Sequence, residues 1–188
     1  MNEVKVLFIS GSTRRRSAYT AAAHTGREIL GPHSAAVFDS LAELPEFRGN
    51  GRLPSAVASL DGAIATADAV VFCTPQYVGR LPESLLNLLD WVRLSGALHG
   101  KRATWINSGP DWTDDAAVSC ALRRAGAKIL SPRGHRVPVA VDAVDAHGLI
   151  ADPDTLRRLA TALRAILQEL ATGATARASS APATPLVS

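Results

Sequence analysis

The sequence predicts an α/β fold built on an open parallel sheet with helices on both faces. Short apolar, β-branched runs alternate with longer segments in which apolar residues recur at helical spacing. The short runs are nearly continuous in their apolar residues, as in strands that are covered on both faces. With 188 residues the chain has the length of one domain, and five strands alternating with five helices fill most of it.

Five segments are predicted as strands. In chain order they cover residues 4–9, 35–38, 69–73, 103–107 and 128–130. The fifth is extended by an apolar stretch around residues 137–139, although Pro132 and Pro138 interrupt it.

Five segments with helical spacing separate these strands. They cover residues 17–30, 54–66, 82–95, 113–125 and 153–171. Proline is favoured at the start of a helix and glycine after its end, which supports limits at Pro54, Pro82 and Gly96. Asp114 and Asp115 fall in the predicted first turn of the fourth helix, where the helix dipole favours carboxylates. Residues 41–53 are predicted to form a long loop.

Composition excludes several classes of protein. Hydrophobic residues make up 47% of the chain and charged residues 20%, which excludes a disordered or fibrous chain. The net charge of +3 is too small to predict nucleic-acid binding. Neither a membrane-spanning run nor a targeting segment is recognisable, so we expect a cytoplasmic protein without a membrane partner. Cys73 and Cys120 are predicted to be buried, and the histidines lack the spacing of metal ligands.

The end of the chain differs from the rest. Residues 172–188 consist of Ala, Gly, Thr, Ser, Pro, Leu and Val with one Arg, a composition that cannot bury enough apolar surface to order itself. We therefore predict a folded domain over residues 1–171 and a disordered tail over 172–188.

Ligands in open parallel sheets bind beyond the carboxyl ends of the strands, which directs attention to three loops. The first, residues 10–17, combines hydroxyl groups, Gly11 and three consecutive arginines with the start of a helix, an arrangement that suits a phosphate. It lacks the glycine patterns of triphosphatases and dinucleotide enzymes. The alternative interpretation is a polar loop whose serines cap the helix and whose arginines are solvated.

The other two loops carry aromatic residues. Residues 74–79 place Tyr77 in a turn set by Pro75, and residues 107–112 combine polar groups with Trp112. Together with the first loop they match the needs of flavin mononucleotide (FMN), whose phosphate and flat ring require separate subsites. Alternatively, Tyr77 packs locally and Trp112 covers the core.

Two motifs in these loops indicate a family. Residues 11–17 follow G-S-x-R-x-x-S, and residues 74–91 follow T-P-E-Y-N-x-x-x-P-x-x-L-K-N-x-x-D-W at its Thr, Pro, Tyr, Pro, Leu, Asn, Asp and Trp positions. In these motifs the sequence resembles the NAD(P)H-dependent FMN reductase family, and the resemblance extends from about residue 4 to 171. It implies a flavodoxin-like three-layer sandwich with a five-stranded parallel sheet of order 2-1-3-4-5.

The resemblance also implies a function. FMN would be the cofactor and NAD(P)H the electron donor, with hydride passing through FMN to a small-molecule acceptor such as a flavin or a quinone, usually in a homodimer or homotetramer. The flavin would carry the chemistry, so no catalytic side chain is expected. The candidate cofactor-binding residues are Ser10, Ser12, Arg14, Ser17, Ala18, Tyr19, Pro75, Gln76, Tyr77, Val78, Ser108 and Gly109.

Several positions depart from the family pattern. Tyr19 replaces a frequent Asn, Gln76 replaces Glu, Val78 replaces Asn and Leu86 replaces Lys. Two other functions therefore stay open: a flavin-binding electron carrier, which the positive net charge disfavours, and a flavin-free scaffold, which Tyr19 and Val78 suggest.

Two polar residues of the second motif are interpreted as structural. Asn87 and Asp90 lie one turn apart on the predicted third helix, beside its apolar face. We expect them to tie this helix to the loop at Thr74, with a ligand role as the alternative.

Overall fold

The chain folds into a parallel sheet with helices on both faces. The computed structural model describes residues 4–14, 16–49, 52–74, 80–109 and 115–179, and its strand order is β2-β1-β3-β4-β5, with β6 paired to β4. The strands are β1 (Val6–Ser10), β2 (Ala35–Phe38), β3 (Ala69–Cys73), β4 (Arg102–Asn107), β5 (Lys128–Ile129) and β6 (His135–Arg136). Their pairing is parallel throughout, which confirms the predicted flavodoxin-like fold and strand order.

Within the described ranges, five α-helices connect the strands. They are α1 (Ala18–Leu30), α2 (Ser55–Thr66), α3 (Glu83–Ser95), α4 (Ala116–Arg124) and α5 (Pro153–Ser179). The predicted limits hold for the middle helices: Pro54 and Pro82 immediately precede α2 and α3, and Gly96 ends α3 in the left-handed conformation that glycine adopts without strain. Each of the helices is too short or too polar to cross a membrane.

The sheet separates two hydrophobic cores. Alternation along β1 directs Leu7 and Ile9 towards α2, α3 and α4, and directs Val6 and Phe8 towards α1 and α5. Burial on both faces explains why the strand sequences are apolar without interruption. The result is a three-layer sandwich whose carboxyl edge carries the loops of interest.

The predicted fifth strand is two short strands in the structure. β5 pairs with the start of β4 and β6 with its end, so both follow the same strand in succession. The chain leaves the sheet between them at residues 131–134, where Pro132 cannot donate a ladder hydrogen bond and Gly134 has a φ of 57°. The apolar extension at 137–139 continues the pairing, because Val137 and Val139 donate backbone hydrogen bonds to the carbonyls of Asn107 and Ser108.

The last helix is longer than the sequence predicts. α5 continues to Ser179, whereas burial arguments end it near residue 171. Extending an existing helix requires no new nucleation, and three of residues 172–179 are alanine, the best helix former. The division into a domain over 1–171 and a tail over 172–188 stays a prediction, and residues 180–188 lie outside the described ranges.

Two further expectations are wrong. Cys120 is exposed on α4, and only Cys73 is buried. The fourth helix begins at Ala116, so Asp115 precedes its first turn instead of lying within it, and Asp114 lies outside the described residues. The carboxylate of Asp115 does not cap the helix and accepts a hydrogen bond from the indole of Trp105 at 2.9 Å.

Candidate functional site

The loop after β1 is organised by hydroxyl groups. Ser17 immediately precedes α1, and its Oγ accepts a hydrogen bond from the backbone N–H of Thr20 at 3.1 Å, which is the usual N-cap arrangement. The hydroxyl of Thr20 lies 2.9 Å from Ser17 Oγ and 3.0 Å from Ser10 Oγ, and donates to the carbonyl of Arg14 at 3.0 Å. One buried threonine therefore links both ends of the loop.

Thr20 is a residue that the sequence analysis missed. It lies three residues after the capping serine, and a side chain at this position points back towards the cap. That spacing could have identified it. The serines assigned to a phosphate are thus also part of the internal hydrogen-bond network of the loop, so the capping interpretation is correct for Ser17 and leaves its ligand role untested.

The start of α1 offers the donors that an anion requires. Ala18 and Tyr19 are its first two residues, and backbone N–H groups at this position have no acceptor within the helix. The helix dipole adds a partial positive charge at the same end. The Arg14 side chain is exposed in the preceding loop. The predicted phosphate-binding residues therefore lie together.

Gly11 allows this loop to lie close to β3. Its backbone N–H donates to the carbonyl of Cys73 at 2.7 Å, which continues the pairing of β1 with β3. A Cβ at position 11 would lie 2.7 Å from Thr74 Oγ1 and 3.0 Å from Thr74 Cα. Only glycine fits between the ends of these two strands without displacing one of them.

The loop after β4 lies against the start of α1. Asn107 Oδ1 accepts a hydrogen bond from the backbone N–H of Gly109 at 2.9 Å. A Cβ on Gly109 would lie 2.6 Å from the hydroxyl oxygen of Tyr19. The structure therefore brings Tyr19, assigned to the phosphate side of the site, into contact with Gly109, assigned to the ring side.

Ser108 supplies an unusual polar atom in this loop. Its side chain is fully buried, and its Oγ has no hydrogen-bond partner among the described residues. A buried hydroxyl without a partner is costly and usually indicates a ligand or an ordered water. Together with the helix start and the exposed Arg14, this atom fits a cofactor that has both a phosphate and a polar ring edge.

The remaining candidates belong to the loops that follow β3 and β4. Pro75, Gln76, Tyr77 and Val78 lie outside the described residues, as does Trp112. The last described residue before them, Thr74, is fully buried, and its N–H donates to the carbonyl of Ile106 at 3.1 Å. The attachment point of the predicted ring loop is thus fixed beside β4.

Cys73 lies under this site at the end of β3 but is not a reactive group. Its side chain is fully buried. Burial raises the pKa of its thiol to about 12, because an apolar environment disfavours the thiolate. Cys73 therefore stays protonated at neutral pH, and a thiolate mechanism is excluded at this position.

A cavity of about 420 Å³ lies beside the first loop, and Thr13 and Arg14 of that loop contribute to its lining. The lining also includes His24, Asp39 and Glu43. His24 Nε2 lies 3.0 Å from Asp39 Oδ2. The exposed Arg14 side chain therefore borders a cavity that also holds two carboxyl groups.

Asn87 has the predicted structural role but a different partner. Its Oδ1 accepts from the backbone N–H of Phe47 at 2.7 Å, and its Nδ2 donates to the carbonyl of Pro45 at 3.0 Å. Trp91 donates to the same carbonyl at 2.8 Å and packs edge-on against Phe47. The side chains of Asn87 and Trp91 therefore connect α3 to the loop before α2 and not to Thr74. Asp90 has a different role: its Oδ1 lies 3.6 Å from a guanidinium nitrogen of Arg93 on the surface of the same helix.

Replacing Asn87 with alanine tests this role. The substitution removes two hydrogen bonds and leaves the Phe47 N–H without a partner, so we expect the free energy of unfolding to fall by about 1–2 kcal/mol. Urea denaturation measures the change. Asn87→Asp retains the acceptor and should cost less. A loss of ligand affinity without a loss of stability would contradict the structural role.

The sequence matches one protein-family model, and the fold is similar to those of several solved structures. The family model described as NADPH-dependent FMN reductase matches residues 4–167. No curated protein matches the chain. Similar solved structures include FerB, a flavoenzyme NAD(P)H:(acceptor) oxidoreductase from Paracoccus denitrificans, at 22% identity and a TM-score of 0.70, covering 90% of this chain and 98% of that one.

Two other structures are similar at lower scores. An NADH:FMN oxidoreductase, EmoB in its apo form, has 18% identity and a TM-score of 0.55, covering 90% of this chain and 89% of that one. An NAD(P)H:quinone oxidoreductase from Methanothermobacter marburgensis has 18% identity and a TM-score of 0.53, covering 86% and 94%. At these identities the likeness supports the fold.

Proposed function

The chain belongs to the NADPH-dependent FMN reductase family, and on that premise we propose that it binds FMN across the loops that follow β1, β3 and β4. Membership makes it an NAD(P)H-dependent oxidoreductase with FMN as its cofactor. The phosphate would be held by Ser12, Arg14, Ser17 and the first N–H groups of α1. The observation that carries this assignment is the contact between Tyr19 and Gly109, which joins the phosphate side to the ring side.

The residues of the ring side complete the proposal. Pro75, Gln76, Tyr77 and Val78 would line one edge of the flavin, and Ser108 and Gly109 the other. The buried Ser108 Oγ would gain the hydrogen-bond partner that it lacks among the described residues. Ser10, through its hydroxyl bond to Thr20, would hold the loop in shape without touching the phosphate.

Bound FMN would supply the hydride chemistry, so the protein has to bind, orient and shield the reactants. The network around Thr20 fixes the phosphate loop, and the Gly109–Asn107 hydrogen bond fixes the loop after β4. The neutral Cys73 thiol adds neither a proton acceptor nor a nucleophile. We propose a small flavin, quinone or similar acceptor, in keeping with the printed activities of FerB, EmoB and the quinone oxidoreductase.

A visible spectrum tests the function directly. Protein purified with FMN should be yellow, and anaerobic addition of NADH or NADPH should bleach the flavin absorbance. Bleaching only by a partner reductase would assign an electron carrier instead. Absence of any flavin binding would assign a flavin-free member of the family.

Arg14 provides the residue-level test. Because its side chain is exposed, its loss should leave the fold intact. Removing one charge-assisted hydrogen bond to phosphate should weaken FMN binding about tenfold. Fluorescence quenching of FMN measures the dissociation constant of Arg14→Ala, with Arg123→Ala on α4 as the matched control. Equal affinities in all three proteins would remove Arg14 from the site.

We also propose that the protein works in the cytoplasm as a homodimer or homotetramer. Leu86 and Leu94 on α3 support an oligomer, because their side chains are 43% and 47% exposed and would be covered by a second subunit. Light scattering of the purified protein should then give a molar mass of two or four times the 19.7 kDa of one chain. A monomer at micromolar concentration would contradict this part of the proposal.

A further inference from the structure

The cavity of about 420 Å³ beside the first loop lies where β1 and β2 end. Thr13 and Arg14, which follow β1, and Asp39 and Ser40, which follow β2, contribute to its lining, as do residues 147–149. We call it the β2 cavity. Its volume is within the range of about 300–1,000 Å³ that is usual for ligand and cofactor sites. Because Arg14 also belongs to the proposed phosphate site, a phosphate bound there would lie next to this cavity.

Asp39 lies beside the beginning of the phosphate loop, residues 10–17. It is the first residue after β2, and Phe38 before it pairs with Ile9, so Asp39 is level with the end of β1. Asp39 Oδ2 lies 3.0 Å from Nε2 of His24 on α1. Its other carboxylate oxygen, Oδ1, has no hydrogen-bond partner among the residues that the structure describes. Asp39 therefore retains an acceptor at the edge of the β2 cavity.

The stability of the fold does not account for the pair of His24 and Asp39. The two side chains are 37% and 47% exposed, and ion pairs at such exposure contribute little to stability. The pair does restrict the carboxylate, because one of its oxygens is bonded to a ring on a helix. A restricted acceptor loses less conformational freedom when a ligand binds, which suits a binding role.

A carboxylate at this position recognises ribose in other proteins. In open parallel sheets that bind dinucleotides, an acidic residue after the second strand accepts hydrogen bonds from ribose hydroxyls, while the pyrophosphate lies at the start of the first helix. Asp39 has the same position relative to the phosphate loop. This loop lacks the glycine pattern of those proteins, so Ser12, Arg14 and Ser17 would donate to the phosphates instead. The carboxylates of Asp39 and Glu43 disfavour a further anion in the cavity and favour an uncharged sugar.

The strand order decides which nucleotide can occupy the β2 cavity. In the order β2-β1-β3-β4, the cavity lies on one side of the phosphate loop and the proposed ring side on the other. A molecule with its flavin ring at β3 and β4 and its phosphate at β1 would end at the cavity if it were FMN. Flavin adenine dinucleotide (FAD) continues from the same phosphate, through a second one, to an adenosine. A separate nucleotide would have to share the loop with the flavin phosphate.

We propose that the β2 cavity binds the adenosine half of FAD, with Asp39 accepting hydrogen bonds from the ribose hydroxyls, so that the protein takes FAD as well as FMN. Asp39 is then a specificity residue that distinguishes the two flavins, since FMN has no group that extends to it. The inference rests on the proposed function, because it requires the flavin ring and its phosphate to lie as proposed above.

Calorimetric titration of the flavin-free protein with FAD and with FMN tests the inference without any turnover. We expect FAD to bind at least as tightly as FMN. Asp39→Ala should raise the dissociation constant of FAD about tenfold, the value of one hydrogen bond to a charged group, and should not weaken the binding of FMN. Asp154→Ala is the matched control, because Asp154 is an exposed aspartate that pairs with Arg157 on α5 and does not line the β2 cavity.

The sign of the change separates recognition of ribose from a simple charge effect. If Asp39 acted only through its negative charge, its removal would strengthen the binding of both flavins, because both carry anionic phosphate. That result, or FAD binding that is unchanged in Asp39→Ala, would overturn the inference. Normal FMN binding by the same variant shows that it has folded and leaves the proposed function standing. If neither flavin binds the unmodified protein, the proposed function and the inference are both wrong.

Adenosine 5′-diphosphate (ADP) tests whether the cavity serves a separate nucleotide. ADP should bind the flavin-free protein, and Asp39→Ala should weaken this binding about tenfold. It should not bind the FMN-saturated protein, because the flavin phosphate would fill the loop that the phosphates of ADP require. Binding of ADP beside bound FMN that still depends on Asp39 would assign the β2 cavity to a second nucleotide and overturn the inference.

Discussion

Replacing Gly11 with alanine is expected to lower the free energy of unfolding by about 3 kcal/mol and to weaken FMN binding at least as much as the loss of Arg14. The added methyl group would meet both the side chain and the backbone of Thr74, and backbone cannot move aside as a flexible side chain does. The cost should therefore lie at the upper end of the range for overpacked sites. Relief of the overlap would separate β1 from β3 and strain the Gly11–Cys73 hydrogen bond.

Urea denaturation and FMN titration of the same Gly11→Ala protein measure the two effects. Gly62→Ala is the control, because Gly62 lies within α2 with nothing within 4 Å of an added Cβ. Alanine is the better helix former, so this variant should gain up to about 1 kcal/mol and bind FMN normally. Stability of Gly11→Ala equal to that of the unmodified protein would show that the strand ends do not meet as described.

Replacing Gly134 with alanine should destabilise the fold by about 4 kcal/mol, the largest effect that we expect from a single methyl group. Two costs add. Gly134 has a φ of 57°, a conformation that alanine adopts with strain, and the new methyl group would overlap the buried indole ring of Trp105. Because the indole also holds Asp115, the start of α4 should shift as well.

Gly148→Ala separates these two costs. Gly148 has a φ of 82°, but an added Cβ would have nothing within 4 Å, so this variant reports backbone strain alone. We expect it to cost about 1 kcal/mol. Thermal and urea unfolding of both variants would give the difference between their free energies of unfolding, which measures the cost of the overlap with the indole. Near-ultraviolet circular dichroism would report on the environment of Trp105. Equal losses in the two variants would rule out the overlap with the indole.

The elements that the sequence predicts best are those with local signals at their ends. β2 and β3 lie at their predicted residues, and α2 and α3 begin after Pro54 and Pro82. Proline and glycine act through their own backbone restrictions, which depend little on the rest of the fold. The predicted fifth strand is divided at residues 131–134, where Pro132 and the positive φ of Gly134 interrupt it, and the sequence does not reveal that the indole of Trp105, on β4, lies beside Gly134.

The distinction between local signals and contacts of distant residues also applies to the candidate site. The loop from Ser10 to Tyr19 is contiguous, so the sequence could group its residues, while Thr20 required attention to the geometry of the cap. The partners of Asn87 lie some forty residues earlier in the chain, and no spacing pattern reveals such a contact. A cleft between β6 and α5 likewise brings together Arg136, Arg157 and Arg158, which look unrelated in the sequence.

The sequence by itself determined the fold class, the strand order through a family resemblance, and the loops at which a cofactor would bind. These follow from hydrophobic periodicity, from proline and glycine, and from short motifs, all of which act over a few residues. Only the tertiary structure decided that Tyr19 touches Gly109, that the buried Ser108 hydroxyl lacks a hydrogen-bond partner among the described residues, and that three arginines of β6 and α5 line one cleft. Those contacts depend on how strands and helices pack, and packing joins residues that lie far apart in the chain.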